Sequence, residues 1–440
     1  MASTLSSSYP ATEPIAVLKS PPPWRHTLVS LSVRNYRIFA ISNLVAMTAL
    51  WMQRIAQDWL VLELSGSVTA VGVTVALQFA PMLIFGLLGG VIVDRYSKRT
   101  LLMITQSVSV LTSATLAVLA LTGTVQVWHI YVVAVVLGFV TVVDNPARQV
   151  FTNELVGAGY LRNAISVNSS TFQLGGLIGP AISGALLVAV GAGWSFGINA
   201  VACAIVVFTL TRLRVRELFP APPVPRAKGQ LREGMRYVVQ KPAILWTIVM
   251  LAFLAVFSQN LPVILAAYAS EVFDAGAGGY GLFNTLVALG ALTGALLSTR
   301  RRSVRLRTVI LGAAVYGALQ AFSGLMPTEW LFGTALALAG FSWLFFITAA
   351  NSLVQMSSNV AIRGRVMALY VLVLLGGQSI GGPVMGWVVE HFGAHIGMVL
   401  SGGVPALAAL VIAVVLARSG SLRLAVSLRR AEPFVAIVPR

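Results

Sequence analysis

The run "WMQRIAQDW", residues 51–59, sets Arg54 and Asp58 one helical turn apart, with Gln53 and Gln57 beside them. Residues four apart share a helix face, so a guanidinium and a carboxylate at this spacing can meet. Two chemistries fit. The pair fixes a helix end, or the carboxylate carries a proton, with burial and the guanidinium acting on its proton affinity in opposite senses. A second pair at the same spacing, Asp144 and Arg148, brackets Pro146 in "DNPAR". It reads as a latch made and broken at a gate, or as a weak helix-end ion pair. A third cluster, "GGVIVDRYSKRT" at 89–100, packs Asp94, Arg95, Lys98 and Arg99 into six positions. Group-transfer chemistry finds no foothold. There is no G-x-x-x-x-G-K-S/T phosphate cradle, no H-E-x-x-H and no G-x-S-x-G. No enzymatic activity, cofactor or metal is expected. The one cysteine, Cys203, can build neither a disulfide framework nor a cysteine-rich metal site.

These charges stand out because the chain has so few. Of its 440 residues 57% are hydrophobic and only 10% charged, with a mean hydropathy of +0.87. A soluble domain is about half apolar and a quarter charged, so much of this exterior must face lipid. A crossing helix needs roughly 20 apolar residues, and twelve stretches qualify. They run about 38–62, 70–93, 100–122, 128–147, 163–190, 194–212, 243–268, 279–299, 308–326, 330–354, 366–389 and 396–417. Asp58 falls about nine residues past the midpoint of the first, roughly 13 Å along the helix, close to one interface. Ionisable groups at such depth are functional candidates by default.

Orientation follows from Lys and Arg, which favour the cytoplasmic side. With the N-terminus inside, 29 of the 30 bases fall on inner segments; the exception is Arg54. The outer loops carry Glu63, Glu271, Asp274, Glu329 and Glu390. The formal charge of +17 is therefore a topology signal, and no nucleic-acid partner is expected. Residues 1–33 are Ser/Pro-rich and read as a disordered cytoplasmic tail without the apolar core of a secretory signal. The "PAPPVP" stretch and its bases make 214–242 a cytoplasmic linker between bundles at 34–213 and 243–417, and 418–440 a second cytoplasmic tail. The bundles resemble each other. Gly90 answers Gly294 at an offset of 204, Asn145 and Gln149 answer Asn351 and Gln355 at 206, and Gly179–Pro180 answers Gly382–Pro383 at 203. Parallel repeats of this kind are a transporter architecture with a site between the halves.

Twelve spans, a basic central linker and "GGVIVDRYSKR" after the second span together resemble the major facilitator superfamily over residues 34–417. Gly90, Asp94, Arg95, Lys98 and Arg99 fit that family's loop signature, while Ser97 stands where glycine is usual. "GGLIGPAISG" is similar to the Gly-Pro motif of the family's exporters, which implicates Gly175, Gly176, Gly179, Pro180 and Gly184, and Gly382 with Pro383 in the repeat. "MQRIAQDWLVLELSGS" and "DNPARQVFTNELV" resemble the branch holding the enterobactin exporter and bacterial multidrug efflux proteins.

The resemblance implies an all-α membrane protein of two pseudo-symmetric six-helix bundles with both termini cytoplasmic. It implies a gate built from Gly90, Asp94, Arg95, Arg99, Asp144, Arg148 and Arg365, with Asp94 lying at the start of the eleventh span beside Arg363 and Arg365.

Amides within spans mark a candidate cavity: Gln57, Gln173, Gln259, Asn260, Asn351, Gln355 and Gln378. Their sparsity points to a lipophilic, neutral or weakly cationic cargo. The expectation is a monomeric multi-pass transporter of the bacterial inner membrane, with lipid, a small molecule and protons as its partners. It would export drug-like compounds by alternating access and proton antiport. Siderophore or lipid export, and a non-transporting receptor of the same fold, are the alternatives.

Overall fold

The computed structural model describes residues 28–219, 230–298 and 305–418, with short runs at 423–426 and 435–438. Backbone amides in lipid must be satisfied within their own segment, which makes helices of all twelve apolar stretches. The first half comprises α1 (Arg34–Ser65), α2 (Val68–Arg95), α3 (Lys98–Leu121), α4 (Val127–Gly157), α5 (Gly159–Ala189) and α6 (Ala192–Arg212). A short helix, α7 (Gln230–Gln240), precedes the second half. That half comprises α8 (Pro242–Val272), α9 (Gly276–Ser298), α10 (Leu306–Ser323), α11 (Glu329–Ser357), α12 (Ile362–Phe392) and α13 (Ala394–Arg418). Two short antiparallel strands, β1 (Arg423–Val426) and β2 (Val435–Val438), pair in the tail, a departure from an all-helical chain.

We call the end that carries the bases the basic face and the end that carries Glu63, Glu271, Glu329 and Glu390 the acidic face. Most of the predicted tail (1–27), part of the linker (220–229) and the arginine run 300–302 lie outside the described residues. Residues 28–33 are structured. A turn at Val29–Ser32 is tied down by Ser30 N donating to Asn163 Oδ1 at 2.9 Å.

The largest departure from expectation is in α4. The pattern predicts an end near 147, whereas the helix runs through Pro146 to Gly157, whose φ of 65° breaks it before α5. Proline removes one hydrogen bond to the carbonyl four residues back, here Val142. Gly89 of α2 lies against that Val142 carbonyl, where a Cβ would stand only 2.0 Å away. The linker also differs. α7 docks on the second half through Glu233, which pairs with Arg365, and through Tyr237, whose hydroxyl accepts from Asn359 N at 3.2 Å.

Within each half a buried polar knot joins the equivalent three helices. In the first, Gln53 Oε1 (α1) accepts from Ser113 Oγ (α3) at 2.7 Å and from Asn199 Nδ2 (α6) at 2.6 Å. In the second, Ser258 Oγ (α8) donates to the Ser401 carbonyl (α13) at 2.6 Å, and Gln320 Nε2 (α10) donates to Ser401 Oγ at 2.8 Å. Gln53 to Ser258 is an offset of 205, Ser113 to Gln320 of 207 and Asn199 to Ser401 of 202. The repeat is thus three-dimensional.

The halves meet along α2–α12 and α5–α9. Both seams rely on glycine. A Cβ on Gly72 would stand 2.2 Å from the Gly382 carbonyl oxygen, and one on Gly281 2.5 Å from Gly184 Cα. Along α8 the contact with the first half lies toward the acidic face. There Leu261–Ala267 of α8 meets α1 and α2, whereas its basic-face portion, Pro242–Phe253, packs on helices of its own half.

Candidate functional site

α1 presents Trp51, Arg54 and Asp58 at i, i+3 and i+7, which lines them along one stripe. The stripe approaches the α9 end of the seam. Asp58 is 5% exposed, and its Oδ2 accepts from the Tyr280 hydroxyl of α9 at 3.3 Å. Its Oδ1 is buried with no hydrogen-bond partner. Trp59 stacks on the Tyr280 ring at 5.8 Å, so the link between halves is covered from the side.

The predicted Arg54–Asp58 ion pair is not formed. Among the described residues Arg54 has neither an ion pair nor a hydrogen bond. Its guanidinium carbon lies 5.3 Å from the Trp51 ring centroid and 5.6 Å from that of Phe79 on α2. Spacing along α1 permits the pair, but Tyr280 draws the carboxylate across the seam while the two rings hold the guanidinium.

The exporter-like glycines position this stripe. α5 lies directly on α1, where a Cβ on Gly179 would stand 2.6 Å from Trp51 Cβ and one on Gly175 3.0 Å from the Met47 backbone. Gly176 faces the Trp51 indole. Pro180 and Gly184 form the seam with Gly281, and Gly382 with Pro383 forms the other seam with Gly72. Three further bonds cross beside it. Glu390 Oε2 accepts from Ser67 Oγ and Thr69 N, both at 2.7 Å, and Ser379 Oγ donates to the Ala76 carbonyl at 3.3 Å.

Asp144 and Arg148 do pair, at 2.9 Å, but not as a latch between halves. They are 7% and 8% exposed, deep in α4 and away from any loop, so Arg148 is not an inner-loop base. Thr105 Oγ1 and Gln106 Nε2 of α3 both donate to Asp144 Oδ1 at 2.9 Å. Arg148 donates to Asn43 Oδ1 of α1 and lies 6.0 Å from the Phe39 ring. These partners belong to the first half, and the network ties α1, α3 and α4 together.

At the basic face, Arg99 closes the end of α6 by donating to the Leu210 and Thr211 carbonyls at 2.7 and 3.4 Å. Lys98 lies 3.8 Å from Glu154. Arg95 is exposed, Gly90 and Asp94 are half-buried at the end of α2, and Arg365 is taken by Glu233 of α7. The family pattern did not anticipate Glu233 or Glu154 as partners there.

The predicted cavity amides divide. Asn260 donates to Val256 O at 2.9 Å, Gln378 to Leu374 O at 3.5 Å, and Gln355 bonds Asn351. Gln57 is fully buried with an unpartnered Nε2, and Gln173 and Gln259 are half-buried. Sequence reasoning missed Tyr280, Phe79 and Glu390 as site residues. The glycine cluster "GAGGYG" at 276–281 was the available signal for Tyr280. No cluster of His, Cys, Asp and Glu among the described residues could hold a metal ion.

Residues 26–438 match the sequence model of the transmembrane secretion effector family. The chain is 27% identical over 388 residues to the enterobactin exporter EntS of Escherichia coli (strain UTI89 / UPEC), covering 87% of this chain and 90% of that one. It is 28% identical over 358 residues to the EntS of Citrobacter koseri, covering 80% and 84%. Among solved structures it superposes on the nucleoside transporter NupG with a TM-score of 0.68 at 13% identity, covering 87% of this chain and 98% of that one. For a D-xylose–proton symporter the score is 0.63 at 18% identity, covering 85% and 97%.

Proposed function

The chain belongs to the transmembrane secretion effector family of major facilitator transporters, and from that premise we propose that it exports small lipophilic compounds across the bacterial inner membrane by alternating access, with proton exchange at Asp58. The observation that carries this reading is the Tyr280–Asp58 hydrogen bond, which joins the halves at the end where they are closed. With the basic face assigned to the cytoplasm by its Lys and Arg, this conformation is the loading state, shut toward the outside. Opening outward must part the glycine seams and release Tyr280 from Asp58, Glu390 from Ser67 and Thr69, and Ser379 from Ala76. Asp58 then changes its surroundings once per cycle, from a sealed contact to water on the far side. That alternation lets the carboxylate take a proton from outside water, and in this state the proton leaves toward the inside from its unpartnered Oδ1, the oxygen that Tyr280 does not hold.

Cargo enters from the basic face, where the Pro242–Phe253 portion of α8 packs on helices of its own half. The test is accumulation of a lipophilic fluorescent dye in cells expressing the protein, with and without a protonophore. Extrusion that a protonophore abolishes, and that Asp58→Asn reduces, is expected. Extrusion indifferent to both would remove proton exchange from the mechanism. A second reading, export of a siderophore, is favoured by the relatives, which are named enterobactin exporters. It predicts that iron-starved cells deleted for this gene retain a chelator that the parent strain releases to the medium.

A further inference from the structure

Arg54 and Arg148 both lie among the membrane-spanning helices of the first half, yet their circumstances differ. Arg148 is saturated by Asp144 and Asn43. Arg54 has no acceptor among the described residues, although a guanidinium carries five N–H donors. It sits eleven residues from the acidic-face end of α1, about 16 Å along the axis and so near the membrane midplane. Ring faces soften the charge there but accept no directed hydrogen bonds. The surroundings add donors. Trp51 Nε1 and Gln57 Nε2 are both buried and unpartnered. Asp58, the acid one turn away, is turned to Tyr280. Arg54 itself is only partly covered. Trp51 and Phe79 flank it, and Phe172 lies edge-on to Trp51 at 5.5 Å.

We infer that Arg54 is the recognition point for an anionic group on the cargo, a carboxylate carried on an apolar, ring-bearing body, with Trp51, Phe79 and Phe172 holding the body. This inference rests on the reading of the protein as an exporter whose path passes α1. It replaces the neutral or weakly cationic cargo that scarcity of charge suggests. A planar guanidinium binds a carboxylate through two parallel hydrogen bonds, a geometry that neither an amide nor an ammonium reproduces. Moving such a cargo outward also moves negative charge outward. An inside-negative membrane potential therefore drives export in addition to any proton gradient.

The test uses the full chain purified in detergent and two isosteric probes, 2-naphthoate and 2-naphthamide, with binding read by tryptophan fluorescence and calorimetry. Wild type is expected to bind the carboxylate at least tenfold more tightly than the amide. Arg54→Gln should erase that preference, and Arg54→Lys should keep part of it. Elution profile and thermal unfolding establish that each variant is folded, and the comparison of probes on wild type needs no variant at all. Equal affinity for the two probes, binding of neither, or a preference that survives Arg54→Gln would overturn the assignment. Vesicle transport separates this inference from the one beneath it. Selective binding without any movement of naphthoate would end the export reading and leave the anion site standing, whereas movement of both probes alike would do the reverse.

Discussion

The two halves share a fold and a polar knot, but among the described residues the first buries charge and the second does not. Asp58, Asp144, Arg148 and Glu154 are buried in the first half, whereas the buried polar residues of the second are serines, a threonine, Asn260 and Gln320. The repeat offset of about 205 makes the contrast residue by residue. Asp58 corresponds to Val263, Arg54 to Gln259, Asp144 to Ala350 and Arg148 to Val354. An ion taken out of water costs several kcal/mol unless it is paired, so buried charge persists where it is paired or used. The Asp144–Arg148 network is paired throughout and builds the first half. Asp58 and Arg54 are incompletely paired and face the seam or the path. Apart from the exposed Glu390 carboxylate, the second half brings neutral groups to the seams, with the Tyr280 hydroxyl on Asp58 and glycines for close approach. One half handles ions, and the other moves against it.

The contrast can be broken first at the deepest pair. Arg148→Ala leaves Asp144 buried without its counter-charge and should cost about 3–5 kcal/mol, whereas Val354→Ala at the matching place should cost about 1 kcal/mol. Thermal unfolding in detergent decides, and equal losses at the two positions would mean the halves are not energetically distinct. Next in size is Asp58→Asn. In vesicles with an imposed pH gradient it should reduce export by about tenfold or more, while Gln259→Leu should change it by less than about threefold. A comparable loss at Gln259 would spread the ion work over both halves.

The seam gives a third contrast. Gly281→Leu forces α9 off α5, because its Cβ alone would stand 2.5 Å from Gly184 Cα. In a Cys203→Ser background, a single cysteine at Thr69 should then react with an impermeant reagent from the acidic face several times faster than in the parent. Unchanged labelling would show that this seam does not seal. The smallest effects test what the halves have in common. Gln53→Leu and Gln320→Leu each remove one amide from equivalent knots and should lower stability by similar amounts, about 1 kcal/mol each. A several-fold difference between them would break the symmetry of the knots.

Much of the fold was open to reading from the chain. The twelve apolar stretches reappear as helices, and an offset of the same size as the sequence repeat relates the contacts of the two knots. The candidate site was read only in part. Arg54 and Asp58 stood out as charges at membrane depth, but their four-residue spacing suggested a partnership that the folded chain does not make. Asp144 and Arg148 do pair, yet a span ending near 147 places Arg148 in a loop that it does not occupy.

Composition and periodicity by themselves determined that this chain spans a bilayer twelve times, in two related halves, with its bases on one face. The reason is that lipid forces every backbone donor and acceptor into its own helix, so a local count of apolar residues suffices. Tertiary structure alone decided which partner each buried charge has. Asp58 reaches Tyr280 across 222 positions of sequence, and Arg365 reaches Glu233 across 132, distances over which no local spacing rule operates. Those partners follow from how closely α5 approaches α9, and α7 approaches α12. At the α5–α9 seam that closeness depends on side chains being absent in both helices at once, at Gly184 and Gly281.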